Sequence, residues 1–187
     1  MNMLLKALGM VVLSCSVCVS TPASAADRQQ AQTLETQLRS NSVENRRIAK
    51  ELAPVKSLQD FHYAQANRTP GMDSLDKLSA GARSQFVNEL MFTKAGLASF
   101  NYQVLEDSLT YSEAYKLLAL FGVQHTVGLM RGLKVQTATD GLIRHHYAQP
   151  QNCCEEGNEG GTDHIKYRCI GPGTCEISPA HICTSNC

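Results

Sequence analysis

The sequence predicts an all-α fold that carries a small disulfide-bonded lobe at its C-terminus. Up to about Tyr147 the apolar side chains recur with the 3.6-residue period of a helix, and no alternating strand pattern occurs before residue 160. Six cysteines crowd the last 35 residues of the chain. We therefore expect a signal peptide at 1–25, a compact multi-helix domain at 26–150 and a cysteine-rich C-terminal lobe at 151–187.

The first 25 residues have the three parts of a secretory signal peptide. Lys6 gives the start a positive charge, the stretch 4–19 is mostly apolar, and small side chains follow it at 23–25, so cleavage is expected between Ala25 and Ala26. A transmembrane helix would need about 20 predominantly apolar residues, and polar residues end this stretch too early. A lipid anchor on Cys15 is a further alternative. The short, bacterial type of signal indicates a periplasmic or secreted protein, in which cysteines are oxidised.

Polar capping residues predict where the helices of the domain begin. Their side chains accept hydrogen bonds from backbone N–H groups that have no partner inside the helix. Thr110 with Glu113 is the clearest capping box in the chain. The helix after Ser79 is expected to run to about Thr93 and to end at Gly96. A first helix is expected at 27–39, and the others are expected to begin at Asn41, Ser57, Ser79, Thr110 and Thr137.

The core is predicted from apolar residues that fall on one face of each helix. Gly122 interrupts the longest apolar region and is expected to mark a bend, because the apolar pattern continues after it. The predicted core residues are Phe86, Val87, Leu90, Met91, Leu117, Leu118, Leu120, Phe121, Val123, Val127, Leu129, Met130, Leu142, Ile143 and Tyr147.

The tail differs in composition from the rest of the chain. Residues 153–163 are acidic and rich in glycine, with no large apolar side chain, so they cannot bury enough surface to offset their ordering entropy. Residues 164–169 alternate like a strand, a Gly-Pro-Gly turn follows, and 175–177 can return as its partner. A short β-hairpin is therefore expected, and since a hairpin of this size is marginal alone, cross-links are needed to hold it.

The cysteines of the lobe are interpreted as three structural disulfides. A bridge between the neighbours Cys153 and Cys154 is disfavoured by geometry, but the sequence does not choose among the other pairings. Bridges from this pair to Cys183 or Cys187 would close the longest loops. The six predicted disulfide cysteines are Cys153, Cys154, Cys169, Cys175, Cys183 and Cys187.

Zinc bound by cysteine thiolates with His164 or His181 is the competing interpretation of the tail. The chain has no Cys-x2-Cys pair in this region, and an oxidising compartment removes the thiolates that zinc needs. The acids of 155–163 also lack the alternation of a helix–loop–helix calcium loop. We therefore expect no metal and no other cofactor.

The charge of the mature chain excludes some classes of partner. Loss of Lys6 with the signal leaves 16 of the 17 basic residues against 17 acidic ones, a net charge of about −1. Nucleic-acid-binding proteins usually carry a basic face, so no nucleic acid partner is expected. The mature chain also lacks a further apolar segment long enough to span a bilayer, so no stable membrane insertion is expected, and the predicted partner is another protein.

His125 is the one candidate catalytic residue. It lies in the most apolar region of the chain, where it can serve either as a base or as a hydrogen-bonded core histidine. The chain contains neither Gly-x-Ser-x-Gly nor His-Glu-x-x-His. No known catalytic motif therefore supports the assignment of a catalytic residue.

These observations favour an exported, non-catalytic binding protein of the bacterial envelope, for example an inhibitor or an immunity-type partner of another protein. One alternative is a small secreted enzyme or toxin that uses His125 with a nearby carboxylate. Another is a structural component of the envelope, which would self-associate. The sequence itself identifies neither the partner nor the oligomeric state.

Overall fold

The computed structural model describes residues 43–147 and 162–187. The predicted signal peptide with Ala25 and Ala26, the first predicted helix and the acidic segment with Cys153 and Cys154 lie outside these residues. Among the described residues, the helices are α1 (Val43–Leu52), α2 (Leu58–Ala66), α3 (Ala80–Asn88), α4 (Gln103–Glu106), α5 (Tyr111–Ala119) and α6 (Ala138–Tyr147), with 3-10 turns at Met72–Lys77 and Gln124–Leu129.

The predicted helix caps are confirmed wherever the structure describes them. The Ser57, Ser79 and Thr110 hydroxyls accept hydrogen bonds from the backbone N–H three residues later, at 3.1, 3.2 and 3.3 Å. Thr110 forms the full capping box, because its own N–H donates to the Glu113 carboxylate at 2.9 Å. Thr137 accepts from the Asp140 N–H at 3.1 Å in the same way. Local side-chain chemistry therefore sets these helix starts.

The prediction of an all-α fold is wrong. The structure contains a four-stranded antiparallel sheet, in the order β1-β2-β4-β3, packed with the helices. Its strands are β1 (Met91–Thr93), β2 (Gly96–Asn101), β3 (His164–Gly171) and β4 (Thr174–Cys183). The C-terminal hairpin that the sequence predicted is β3–β4, and it joins the rest of the protein by pairing β4 with β2.

The error lies in residues 89–101. The helix that begins after Ser79 ends at Asn88 rather than near Thr93, and Gly96 begins a strand instead of ending a helix. All six residues of β2 are buried, so this strand lacks the polar–apolar alternation that marks a strand with one exposed face. Its partner β4 is about 80 residues later in the chain, where no local pattern points to it.

The core is a single large apolar cluster in the helical region. Phe121 stacks on Phe61 with ring centroids 6.2 Å apart, and Phe86 meets Phe100 edge-on at 6.4 Å. Ile182 of β4 also belongs to this cluster. Of the predicted core residues, Phe86, Leu117, Leu118, Leu120, Phe121, Val123, Val127, Met130, Ile143 and Tyr147 are buried, while Val87, Leu90, Met91, Leu129 and Leu142 are only partly buried.

Gly122 is a bend, as predicted, and it also lets two segments come very close. Its φ of +70° is a conformation that side chains with a Cβ rarely adopt. A Cβ built at this position would lie 2.6 Å from the carbonyl oxygen of Ala49 in α1. A glycine at this position therefore allows both the bend in the chain and the close packing of α1 against it.

Among the helices in the described parts of the chain, none has the length and apolar character needed to cross a membrane.

Candidate functional site

Two disulfides cross-link the C-terminal region. Cys169 pairs with Cys187 and Cys175 pairs with Cys183, at Cα–Cα distances of 5.7 and 6.2 Å. Because Cys183 and Cys187 are paired here, neither closes a long loop to the cysteines at 153 and 154. The sulfurs of Cys169, Cys183 and Cys187 lie within 4.8 Å of one another, but each belongs to a disulfide and offers no thiolate for zinc.

The hairpin presents apolar side chains to solvent. Tyr167 and Ile177 are cross-strand partners and are 37% and 76% exposed, and Ile170 is 50% exposed. Beside them, the Arg168 guanidinium binds the Glu176 carboxylate at 2.6 Å in an exposed ion pair. β3 is the last strand of the sheet, so within the described residues its outer edge has no strand beside it. We call Tyr167, Ile170 and Ile177 the hairpin patch.

A wide bulge interrupts the pairing of β3 with β4. The register passes from Ile165↔Ile182 to Tyr167↔Ile177, so residues 178–181 of β4 lie opposite Lys166 alone. Lys166 has a φ of +68°, which is uncommon for a residue with a Cβ. Bulges of this kind redirect side chains and recur beside functional sites.

The bulge is fastened to the start of α4. The backbone N–H of Tyr102 donates to the Ala180 carbonyl at 2.9 Å, and the Tyr102 hydroxyl donates to the Pro179 carbonyl at 3.2 Å. Tyr102 is itself 5% exposed. The bulge is thus attached to a buried neighbour by two hydrogen bonds.

Ser178 and His181 of the bulge form a hydrogen-bonded chain with Glu89. The Ser178 hydroxyl lies 2.8 Å from His181 Nδ1, and His181 Nε2 lies 2.9 Å from the Glu89 carboxylate. The Asn101 amide also donates to Glu89, at 2.8 Å. Burial lowers the pKa of His181, the charge of Glu89 raises it, and Arg168 lowers it further, with a net shift downward.

Little in the sequence points to this cluster. His181 is a candidate there only as a zinc ligand, and Ser178 and Glu89 belong to no motif. The three residues come from the end of α3 and the bulge of β4, and Asn101 is the last residue of β2. They meet because β4 pairs with β2, which is the pairing that the periodicity of the sequence did not reveal.

His125, the candidate from the sequence, does lie beside a carboxylate. Its Nε2 is 2.6 Å from Asp163 Oδ2, and the two side chains are 9% and 10% exposed. Asp163 Oδ1 accepts from the backbone N–H of Ser185 at 2.8 Å, and the Ser185 hydroxyl accepts from the Lys50 ammonium. This network joins α1 and the Gln124–Leu129 turn to both ends of the C-terminal region.

The electrostatics of this network follow from its burial. Burial alone would raise the pKa of Asp163, but the hydrogen bond and charge of His125, the Ser185 N–H and Lys50 outweigh it and lower the pKa. Burial lowers the pKa of Lys50, against the opposing effect of Asp163. With so little of either side chain open to solvent, the His125–Asp163 pair is placed to hold segments together and has little surface to offer a substrate.

Comparisons with protein-family models, with curated proteins and with solved structures found no match to this chain.

Proposed function

We propose that this protein is an exported binding protein of the bacterial envelope and that it recognises another protein through the hairpin patch. The observation that carries the proposal is the exposure of Tyr167, Ile170 and Ile177 on a hairpin cross-linked by two disulfides. An inhibitor or an immunity-type partner of another protein is the kind of role that we infer.

The cross-links explain why this surface suits binding. A loop that is already fixed loses less conformational entropy when it docks, so more of the contact energy appears as affinity. The apolar side chains supply area for burial, with aromatic residues such as Tyr167 frequent among the anchors of interfaces. The outer edge of β3, which has no strand beside it in 43–147 or 162–187, adds backbone groups that an extended segment of the partner can pair with.

The buried state of His125 supports binding over catalysis at that residue. An enzyme or toxin that used His125 as a base would need the His125 ring accessible to a substrate. Here the carboxylate is Asp163, and both side chains are about nine-tenths buried. The pair has the composition that the alternative requires, but its burial leaves a substrate little access to the His125 ring.

The test compares two sets of exposed apolar residues. In the test variant, Tyr167→Ser is combined with Ile177→Ser, and in the matched control Leu52→Ser is combined with Tyr63→Ser. The control residues are 77% and 71% exposed and lie in α1 and α2. Tagged mature protein is used to capture partners from an envelope extract, and the captured protein is then purified and titrated by calorimetry.

We expect wild type and control to bind the purified partner one to one, and the hairpin variant to bind at least tenfold more weakly. Equal binding by both variants would overturn the proposal. The structural alternative predicts instead that purified wild-type protein self-associates, which sedimentation analysis at micromolar concentrations will detect. Self-association abolished by the hairpin variant would favour that alternative.

A further inference from the structure

The bulge in β4 brings together two side chains that a regular strand would separate. Residues three apart in a strand are about 10 Å apart and point to opposite faces of the sheet. Ser178 and His181 are three apart, yet the Ser178 hydroxyl lies 2.8 Å from the His181 ring. The bulge and its attachment to Tyr102 therefore create a contact that the strand itself would not make.

The hydrogen bonds also determine which His181 nitrogen carries the proton. An ionised carboxylate only accepts hydrogen bonds, so Nε2–H of His181 donates to Glu89 across 2.9 Å. In the neutral ring Nδ1 is then bare and accepts the Ser178 hydroxyl proton. Glu89 is fixed in turn by the Asn101 amide at 2.8 Å. This is the order of groups that activates a nucleophilic hydroxyl: nucleophile, base and an acid that orients the base.

Both ends of this hydrogen-bonded chain lie at the protein surface. The side chains of His181 and Glu89 are 13% and 33% exposed, and Ser178 is half-buried. A small ester at the surface can therefore reach the Ser178 hydroxyl, with the His181 base beside it.

We propose that Ser178, His181 and Glu89 form a serine acyl-transfer site that hydrolyses small carboxylic esters. Ser178 is the nucleophile, His181 is the general base, and Glu89 is the positioning residue. The proposal goes beyond the binding role and does not depend on it, because the site uses none of the three residues of the hairpin patch.

The reaction needs only the ester and water. The Ser178 oxygen forms a bond to the carbonyl carbon as its proton passes to His181 Nδ1. The bond from that carbon to the leaving oxygen then breaks, and the departing alcohol takes the proton from Nδ1. Water adds to the acyl-serine with the same base, releasing the carboxylic acid and restoring the Ser178 hydroxyl.

The first experiment uses a fluorophosphonate probe, which bonds covalently to nucleophilic serines, and p-nitrophenyl acetate as the ester. We expect one probe per wild-type chain, located on Ser178 by peptide mapping, and ester hydrolysis above the buffer rate. Ser178→Ala should abolish both, and His181→Gln should lower the hydrolysis rate about 10²-fold. Ser84→Ala, an exposed serine on α3, should leave both unchanged.

Glu89 is tested by the pH profile, which a purely structural residue would not move. The charges that act on His181 are Glu89, which raises its pKa, and Arg168, which lowers it. Because the base works in its neutral form, the rate should rise with pH as His181 loses its proton. Glu89→Gln should shift this rise to lower pH as well as slow the reaction.

Absence of probe on Ser178 in folded wild-type protein would overturn the proposal, whatever the variants do. Hydrolysis that persists unchanged in Ser178→Ala would also overturn it. Circular dichroism establishes that each variant is folded, and partner capture by Ser178→Ala at the wild-type level would separate this site from the binding role.

Discussion

The helical region (43–147) and the C-terminal region (162–187) are stabilised by different means. Of the buried residues in the main apolar cluster, only Ile182 comes from the C-terminal region. In the C-terminal region the buried residues include the disulfide cysteines Cys169 and Cys183, which pack with Ala98 in a second, small cluster. The helical region is thus held by apolar burial, and the C-terminal region by disulfides, by pairing with β2 and by the buried Asp163 network.

We expect the largest loss of stability from a substitution in the apolar core of the helical region. Phe121 is 1% exposed and packs against Phe61 and Phe92, with ring centroids 6.2 Å away in each case. Phe121→Ala should lower the free energy of unfolding by about 3–5 kcal/mol, because it removes buried surface and leaves a cavity. Urea denaturation of oxidised protein measures this loss.

The control for Phe121 is an apolar residue outside the core. Leu52 is 77% exposed, so Leu52→Ala should change the free energy of unfolding by less than about 0.5 kcal/mol. A loss from Leu52→Ala that equals the loss from Phe121→Ala would contradict the assignment of stability to this core.

Removing a disulfide should affect the C-terminal region first. The Cys169→Ala/Cys187→Ala variant is expected to lose about 2–4 kcal/mol, since the unfolded chain gains freedom when the bridge is absent. Hydrogen exchange should show lost protection in β3 and β4, while Leu117 and Leu118 in α5 stay protected. Chemical reduction of the wild-type protein is the control and should weaken the same strands. Equal loss in α5 would mean that the two regions unfold as one unit.

The buried Asp163 network is the connection between the regions, and we expect a smaller effect from weakening it. Asp163→Asn removes the charge that faces His125 and should cost about 2 kcal/mol, the usual size for a hydrogen bond to a charged group. As a control, Asp76 is 72% exposed in its pair with Arg83, so Asp76→Asn should cost less than about 0.5 kcal/mol.

The pH dependence of this effect has a definite sign. The pKa of Asp163 is lowered in the folded protein, so its contribution is fully present above the unfolded value of about 3.9 and is lost as pH falls through the folded value. The difference between wild type and Asp163→Asn should therefore be complete at pH 7 and shrink below about pH 4. A difference that stays constant down to pH 2 would contradict the assigned role.

The sequence predicted those parts of the fold that depend on neighbouring residues. The caps at Ser57, Ser79 and Thr110 depend on contacts three residues away, and the buried face of α5 depends on the helical period. The strand β2 depends on β4, about 80 residues later. β2 is completely buried although it includes Ser99 and Asn101, so it shows neither a polar–apolar alternation nor a continuous apolar run, and the local pattern alone did not reveal a strand.

The same distinction applies to the candidate sites. The apolar surroundings of His125 are visible in the sequence, but its partner Asp163 is 38 residues away and belongs to the acidic segment 153–163, which was expected to bury too little surface to become ordered. The pair of His181 with Glu89 spans an even larger separation and depends on the sheet. The disulfide cysteines carried a compositional signal, but their pairing did not follow from it. Cys169 faces Cys175 across the hairpin, yet Cys169 bonds to Cys187 and Cys175 bonds to Cys183.

The smallest predicted effect comes from removing a helix cap in the helical region. It tests whether the loss of this cap leaves the C-terminal region unchanged. Thr110→Ala removes the acceptor for the Glu113 N–H, 3.3 Å away in the native cap, and should cost about 1 kcal/mol. The loss should leave the protection of β3 and β4 unchanged, because the cap lies at the start of α5 and the sheet is held by its own pairing. Thr110→Ser keeps the acceptor and is the matched control, expected to retain nearly all of the stability in urea denaturation. If Thr110→Ala instead released β3 and β4 from protection, the two regions would be coupled through α5, and the division between them would have to be abandoned.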